Sequence, residues 1–402
     1  MQHLVIVGGG HLAAALITGL YRQGFDGRVT LLSAEDSLPC NRPVLSKEYL
    51  KGELTEEGLA LVAQHVWKDP RFTCQLNTRV SEIDRQQKTV VANGHLVPYD
   101  QLVLATGTTP RRLDIPGHEL AGIHYLKTLF DARQLRGALQ PGKRLAVIGG
   151  GFIGLEIAAA ARQNSMAVTV LEAGERILGR VVAPEVSECF MQLHQNHGVD
   201  IRTGVGVENF MGQQAIEAVR LTNGEVLAAD QVVVGIGVVP EVSLAQQAGL
   251  ECDNGIVIDQ CCRTSDPAIH AGGDCAVQFS PLYNRNLRLE SVQNTSAHAQ
   301  TILAQLTGQP IPEPAVPWFW STQYEARLQI AGLNPDYDQL IARGQDTQAR
   351  SWLYLKQGRL VACDAINRPA DFLQAKKMIM TETQIDIPKA EDINIPLSQC
   401  IA

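Results

Sequence analysis

The sequence predicts an α/β chain of two parallel-sheet domains, followed by a smaller C-terminal α+β domain. Three observations predict it. At 402 residues the chain exceeds one ordinary hydrophobic core, so two or three domains are expected. The chain also repeats itself. LVIVGGGHLAAAL from Leu4 and LAVIGGGFIGLEIAAAA from Leu145 each read as apolar strand, glycine turn and Ala-rich helix. Each then leads into a second apolar strand, VTLLSAE or VTVLEAGE. Finally, beyond the proline-rich PIPEPAVP the pattern changes: WFWSTQYEARLQIAGL and WLYLKQGRLVACDAI alternate apolar with polar residues, as antiparallel strands do.

The remaining elements follow in order. AIEAVRLTNGEVLAADQVVVGIG gives short strands, and the stretch ending near His270 runs into the glycine turn AGGDCA. DFLQAKKMIM reads as a helix; the last fifteen or so residues carry no pattern that assigns them. His194 and His197 read as one helix face ending at Gly198, and no metal site is expected. Nine scattered cysteines without a CxxC pair read as reduced thiols, with Cys261 and Cys262 as strand neighbours on opposite faces.

Composition narrows the function. Apolar residues make up 45% and charged residues 19%, a globular balance. A net charge of -8 argues against non-specific nucleic-acid binding, which needs a basic surface. MQHLVIVGGG enters its first strand at once, leaving no room for a secretion signal, and no apolar run is long enough to span a bilayer. A cytoplasmic location is expected.

Both glycine turns fit the requirements of a dinucleotide cradle. In Gly8-Gly9-Gly10-His11-Leu12-Ala13, Gly8 permits the tight turn, Gly10 admits a pyrophosphate and the small Ala13 lets helix and strand pack closely. The helix N-terminus then offers unpaired N–H groups to the phosphates. Glu35, at the end of the next strand, can bind ribose hydroxyls. In the second turn, Gly149-Gly150-Gly151-Phe152-Ile153-Gly154, the acid is Glu172, about twenty residues on, as the fingerprint requires. A carboxylate there repels a 2′-phosphate, so NADH is expected over NADPH, although Arg176 nearby could soften that preference.

Further segments resemble the two-dinucleotide flavoprotein disulfide-reductase superfamily, the FAD-dependent pyridine nucleotide-disulfide oxidoreductases. Ala105-Thr106-Gly107 is similar to its ATG motif and Gly235-Ile236-Gly237-Val238-Val239-Pro240 to its GxGxxP return. Ala271-Gly272-Gly273-Asp274 is similar to its second FAD motif, whose Asp holds the ribityl chain. Within that superfamily the chain resembles the NADH:ferredoxin reductases of aromatic-ring dioxygenase and bacterial cytochrome P450 systems, the putidaredoxin reductase-like group. Arg42-Pro43-Val44-Leu45-Ser46-Lys47 is similar to the group's RPPLSK, and Pro317-Trp318-Phe319-Trp320-Ser321 to its PWFWSDQ. Cys40, Asn41, Val44 and Thr322 depart from the group's usual residues.

The resemblance implies two Rossmann-like dinucleotide-binding domains arranged as in glutathione reductase. An FAD domain would comprise 1–110 and 241–315, an NADH domain 111–240, and the α+β domain 316–402. It implies that NADH passes hydride to FAD, and that single electrons then go to a small [2Fe-2S] ferredoxin serving a terminal oxygenase, as in aromatic hydrocarbon catabolism. Lys47 would stand near the flavin. Glu156, on the first turn of the second helix, would pair with Lys47 or hold the nicotinamide amide; a carboxylate also suits a helix N-terminus on dipole grounds. Arg42 and Arg111 are candidates for the FAD phosphates or adenine edge, Asp274 and the Val292 backbone for the ribityl and pyrimidine ends, and Trp320 for the edge where electrons leave. Arg180 and Gly235-Ile236-Gly237 join the cofactor-binding set. A basic docking patch is sought among Arg285, Arg288, Arg327, Arg343, Lys376 and Lys377. Two other readings remain, an NADH:rubredoxin reductase and a thiol-based NADH oxidase or peroxidase using Cys40. A monomer or a homodimer would serve.

Overall fold

The computed structural model describes residues 2–344 and 348–402. Its first sheet has the spatial order Ile269–Ala271, Gln101–Leu104, His3–Val7, Arg28–Leu32, Phe72–Gln75. All its neighbours are parallel. The central strand HLVIV is buried throughout, as a strand covered on both faces must be. Its one polar side chain, His3, is satisfied by Thr30 at 2.8 Å.

A second parallel sheet repeats the plan, in the order Asp200–Thr203, Ala167–Glu172, Arg144–Ile148, Gln231–Val234, Ile123–His124. In each sheet a helix follows the glycine turn directly, His11–Arg22 in the first and Phe152–Gln163 in the second. Buried alanines on both helices (Ala13 and Ala14; Ala158 to Ala161) let the helix axes approach their sheets.

Because Ile269–Ala271 returns to the first sheet after the second is complete, the chain crosses twice between them. The crossing segments Thr108–Pro110 and Val238–Pro240 pair antiparallel. Thr106 Oγ1 locks them by donating to the Glu241 carbonyl at 2.7 Å.

Past an extended proline segment lies an antiparallel sheet in the order Trp318–Gln323, Ala326–Gly332, Arg359–Ile366, Arg350–Lys356, Gln339–Arg343. The helix Pro369–Met380 packs on it. Strand Gln339–Arg343 has no sequence signal, because polar neighbours interrupt its short apolar run. The unassigned terminal stretch forms a helix at Ile387–Glu391 and a single turn at Leu397–Gln399. Leu155 and Ile157 of the second glycine-turn helix share one core with Leu328, Trp352 and Tyr354, so the C-terminal sheet lies against that helix.

Two local expectations need correction. Cys261 and Cys262 are not strand neighbours. Asp259 Oδ1 accepts the N–H groups of Cys261 and Arg263, both at 2.8 Å, and closes a turn in which Cys262 has φ +59°. Arg343 is not a surface cation: it is fully buried, bonded to the Ala390 and Ile395 carbonyls and 3.7 Å from Asp371. Among the described residues no helix is long and apolar enough to cross a membrane, and no cluster of three or more metal-ligating groups occurs.

Candidate active site

The two glycine turns share one geometry. Gly8 has φ +108° and Gly149 φ +105°, values that disfavour any side chain. A Cβ on Gly8 would collide with the Ala105 carbonyl, and one on Gly149 with the Gly235 carbonyl. Each crossing motif, Ala105-Thr106-Gly107 or Gly235-Ile236-Gly237, therefore runs tight against its own turn. Above the turns there is room. Among the described residues nothing lies within 4 Å of a Cβ built on Gly151, and only the Arg42 guanidinium, at 3.7 Å, approaches one on Gly10. Among the described residues neither helix has a side-chain cap, so its first N–H groups face that space. At the close-packed position, Gly154 would meet the Gly149 carbonyl, and the buried Ala13 takes the equivalent place.

Beside the first turn Arg42 Nη2 pairs with Glu35 Oε1 at 2.5 Å. Among the described residues the buried Arg42 Nε has no hydrogen-bond partner, which leaves a donor beside the open anion cradle. That arrangement fits a diphosphate. His11 is pushed down to about 4 by burial, then by the Arg42 charge, and stays neutral there. Asp274 lies 3.6 Å from Lys127, whose Nζ donates to Thr108 Oγ1 at 2.6 Å. Burial lowers the Lys127 pKa, while Asp274 opposes the shift. The Gly273 N–H donates to Nδ1 of buried His298 at 3.0 Å, which fixes the loop carrying Asp274. Val292 opens the helix Val292–Thr307, where the Ser291 hydroxyl accepts the Asn294 N–H at 3.1 Å. Lys127 and His298 have no sequence signal, since what makes them relevant is distant in the chain.

Beside the second turn Glu172 braces the backbone. Its two oxygens accept the N–H groups of Gly150 and Gly174, each at 2.7 Å. Arg176 is turned away and donates to the Val182 and Gly179 carbonyls. Arg180 and exposed Arg111 flank Gly237, and the Arg111 N–H donates to the Gly237 carbonyl at 2.9 Å. Ile153 is exposed and Phe152 half-buried.

Between the two turns lies an ion pair whose carboxylate is buried and whose ammonium is nearly so. Lys47 Nζ is 2.7 Å from Glu156 Oε2, with only 12% and 4% of the side chains exposed. Lys47 also donates to the Pro43 carbonyl at 2.8 Å. Two hydroxyls complete the carboxylate: Ser46 donates to Oε2 at 2.5 Å and Ser321 to Oε1 at 2.6 Å. Glu156 is not in the first helical turn. The helix begins at Phe152, so Glu156 enters the second turn, beyond reach of a capping role. Phe152 and Glu156, four apart, share a helix face; Phe319 and Ser321, two apart, share a strand face. The two faces meet, with the Phe152 and Phe319 rings 4.8 Å apart. Trp320 necessarily projects from the opposite strand face, half-buried and 5.8 Å from Trp318.

Cys40 is buried in an apolar cluster with Leu45, Tyr49 and Leu59, and burial raises its thiol pKa. Arg288 is a second correction to the docking set, since its side chain is only 10% exposed and is spent on Glu290 and the Asp274 carbonyl. Arg285, Arg327 and Lys377 remain exposed. Lys376 is half-buried, 5.1 Å over the Trp318 ring.

Residues 2–300 match the pyridine nucleotide-disulphide oxidoreductase family, and 318–401 match the reductase C-terminal family. The chain is 41% identical to putidaredoxin reductase of Pseudomonas putida, over 100% of this chain and 97% of that protein. It is 40% identical to rhodocoxin reductase of Rhodococcus erythropolis, over 99% and 94% of the two. Among solved structures, the covalent putidaredoxin reductase–putidaredoxin complex superimposes with a TM-score of 0.96 at 40% identity, covering 99% of this chain and 98% of that one. The chain thus belongs to the pyridine nucleotide-disulphide oxidoreductase family, as an FAD- and NAD-dependent oxidoreductase of the putidaredoxin reductase-like ferredoxin reductase kind.

Proposed function

We propose that the chain draws electrons from NADH onto bound FAD and delivers them singly to a small [2Fe-2S] ferredoxin that serves a terminal oxygenase. The observation that carries this is the largely buried Lys47–Glu156 pair, which joins the segment after the first glycine turn to the helix after the second. FAD, when bound, supplies the conversion from a two-electron donor to one-electron delivery. The protein's residues do the rest. Residues 1–110 and 241–315 form the FAD domain: the Gly8 turn, Glu35 and Arg42 hold the adenosine diphosphate end, and Asp274, Lys127 and the Val292 helix N-terminus the flavin end. Residues 111–240 take NADH on the Gly149 turn, with Glu172 setting the preference over NADPH, and 316–402 form the C-terminal domain.

Lys47 holds a positive charge in a site drier than water, where a fixed charge acts more strongly on negative charge as it develops. Glu156 keeps that ammonium from wandering. Cys40 takes no part. The exposed Arg285, Arg327 and Lys377 offer positive charge to an acidic ferredoxin on an otherwise acidic protein. We place the enzyme in the cytoplasm as a monomer or homodimer.

Two measurements test the proposal. Anaerobic mixing with NADH should bleach the flavin absorbance rapidly, and absent bleaching would sink it. Cytochrome c reduction should depend on added [2Fe-2S] ferredoxin, and dependence on rubredoxin instead would replace the partner.

A further inference from the structure

The carboxylate of Glu156 is approached from a third direction, by a chain of side chains outside both glycine-turn segments. Ser321 Oγ donates to Glu156 Oε1 at 2.6 Å, Gln323 Nε2 donates to Ser321 Oγ at 3.1 Å, and His194 Nε2 meets Gln323 Oε1 at 2.8 Å. Ser321, Gln323 and His194 are at most 1% exposed, and Glu156 is 5% exposed. The chain unites the C-terminal strand Trp318–Gln323 with two helices, Phe152–Gln163 and Pro184–Asn196.

Its direction follows from chemistry. An amide oxygen only accepts, so the proton between His194 and Gln323 must sit on His194 Nε2. Gln323 therefore presents its NH2 group to Ser321. Ser321, accepting from Gln323, turns its own proton onto Glu156. Every donor in the series points toward the carboxylate, and oriented hydrogen bonds of this kind polarise one another. Burial keeps His194 neutral, with a pKa of about 4, and among the described residues its Nδ1 has no partner, consistent with a single Nε2–H tautomer. An amide in the middle makes the series a poor proton path. It is suited to holding charge in place.

We propose that Ser321, Gln323 and His194 are positioning residues, a one-way donor series through which the C-terminal domain fixes the Glu156 carboxylate against Lys47. This rests on the reading of Lys47 and Glu156 given above. Ser46 supports one carboxylate oxygen from within its own segment, whereas Ser321 is the protein hydroxyl on the other. Strand alternation explains the placement: Phe319, Ser321 and Gln323 face the helices, while Trp318, Trp320 and Thr322 face away.

The test compares Ser321→Ala, Ser321→Thr and Gln323→Met in the FAD-loaded protein. The infrared carboxylate bands of Glu156, identified by difference against Glu156→Gln, should shift in Ser321→Ala and return in Ser321→Thr, which restores the hydroxyl. In stopped-flow reduction by NADH, Ser321→Ala should lower the limiting rate constant about tenfold with little change in NADH affinity, as expected for losing one hydrogen bond to a charged group. Gln323→Met should give a smaller change in the same direction and serves if Ser321→Ala does not fold. Unshifted bands and unchanged rates in Ser321→Ala and Gln323→Met would overturn the proposal. Failure of the underlying reading looks different: Lys47→Met would then reduce as fast as the parent protein.

Discussion

Lys47 Nζ and Glu156 Oε2 stand 2.7 Å apart although 109 residues separate them in the chain. Glu156 is buried and Lys47 largely so, each has further hydrogen bonds, and neither has another charged partner at comparable distance among the described salt bridges. Such a pair need not add net stability, but breaking it leaves one charge buried alone. Lys47→Met should therefore destabilise the protein by about 3–5 kcal/mol in urea unfolding. The double variant Lys47→Met/Glu156→Gln should recover most of that loss. The same Lys47→Met protein should be reduced by NADH roughly a hundredfold more slowly, the scale for removing one preorganised charge from a site. Equal stability of the single and double variants would show that the pair is not the buried unit described.

The two glycine turns should separate by phenotype. Gly8→Ala forces a methyl group into the Ala105 carbonyl, and Gly149→Ala forces one into the Gly235 carbonyl, each at a positive φ. If the first turn holds FAD permanently, Gly8→Ala should purify with little flavin. Gly149→Ala should keep its flavin but need about tenfold more NADH for half-maximal turnover. The ratio of flavin to protein absorbance and the KM for NADH check the assignment; the reverse pattern would exchange the two sites.

These turns were legible in the sequence because their constraints are local: a strand, three glycines and a helix in consecutive residues. The crossings were legible for the same reason, with Ala105-Thr106-Gly107 and Gly235-Ile236-Gly237 each fitted to its turn. Ser321 was legible only as part of an aromatic segment. Its hydrogen bond to Glu156 spans 165 residues, and no period or spacing encodes a contact between separate domains. Lys127 beside Asp274 and His298 beneath Gly273 were missed for that reason. Arg288 and Arg343 show the opposite error: a count of basic residues does not distinguish a solvated arginine from one spent on buried carbonyls.

Cys40 offers a clean separation of mechanisms. A redox thiol must ionise readily, and burial in an apolar cluster pushes the Cys40 thiol the other way. Cys40→Ser should thus leave ferredoxin-dependent cytochrome c reduction within about twofold of the parent, the small residual cost being a hydroxyl in an apolar site. Lost turnover with intact flavin and intact folding would restore the thiol mechanism.

The C-terminal sheet carries its own pH dependence. Asp364 is fully buried, and burial pushes its carboxyl up to about 7, although a hydrogen bond from Tyr354 opposes the shift. Tyr354 in turn accepts the Ala183 N–H at 3.0 Å, so the pair sits where this sheet meets the second glycine-turn domain. The folded protein holds the Asp364 proton more tightly than the unfolded chain, whose aspartates titrate near 3.9. The stability this lends is complete below about pH 4 and is lost as pH rises through about 7, by on the order of 4 kcal/mol in total. Asp364→Asn cannot ionise and keeps a similar shape. It should gain on the parent protein as pH rises, with the difference in melting temperature growing between pH 5 and about pH 8. Parallel melting curves across that range would mean that Asp364 is ionised in the folded protein throughout.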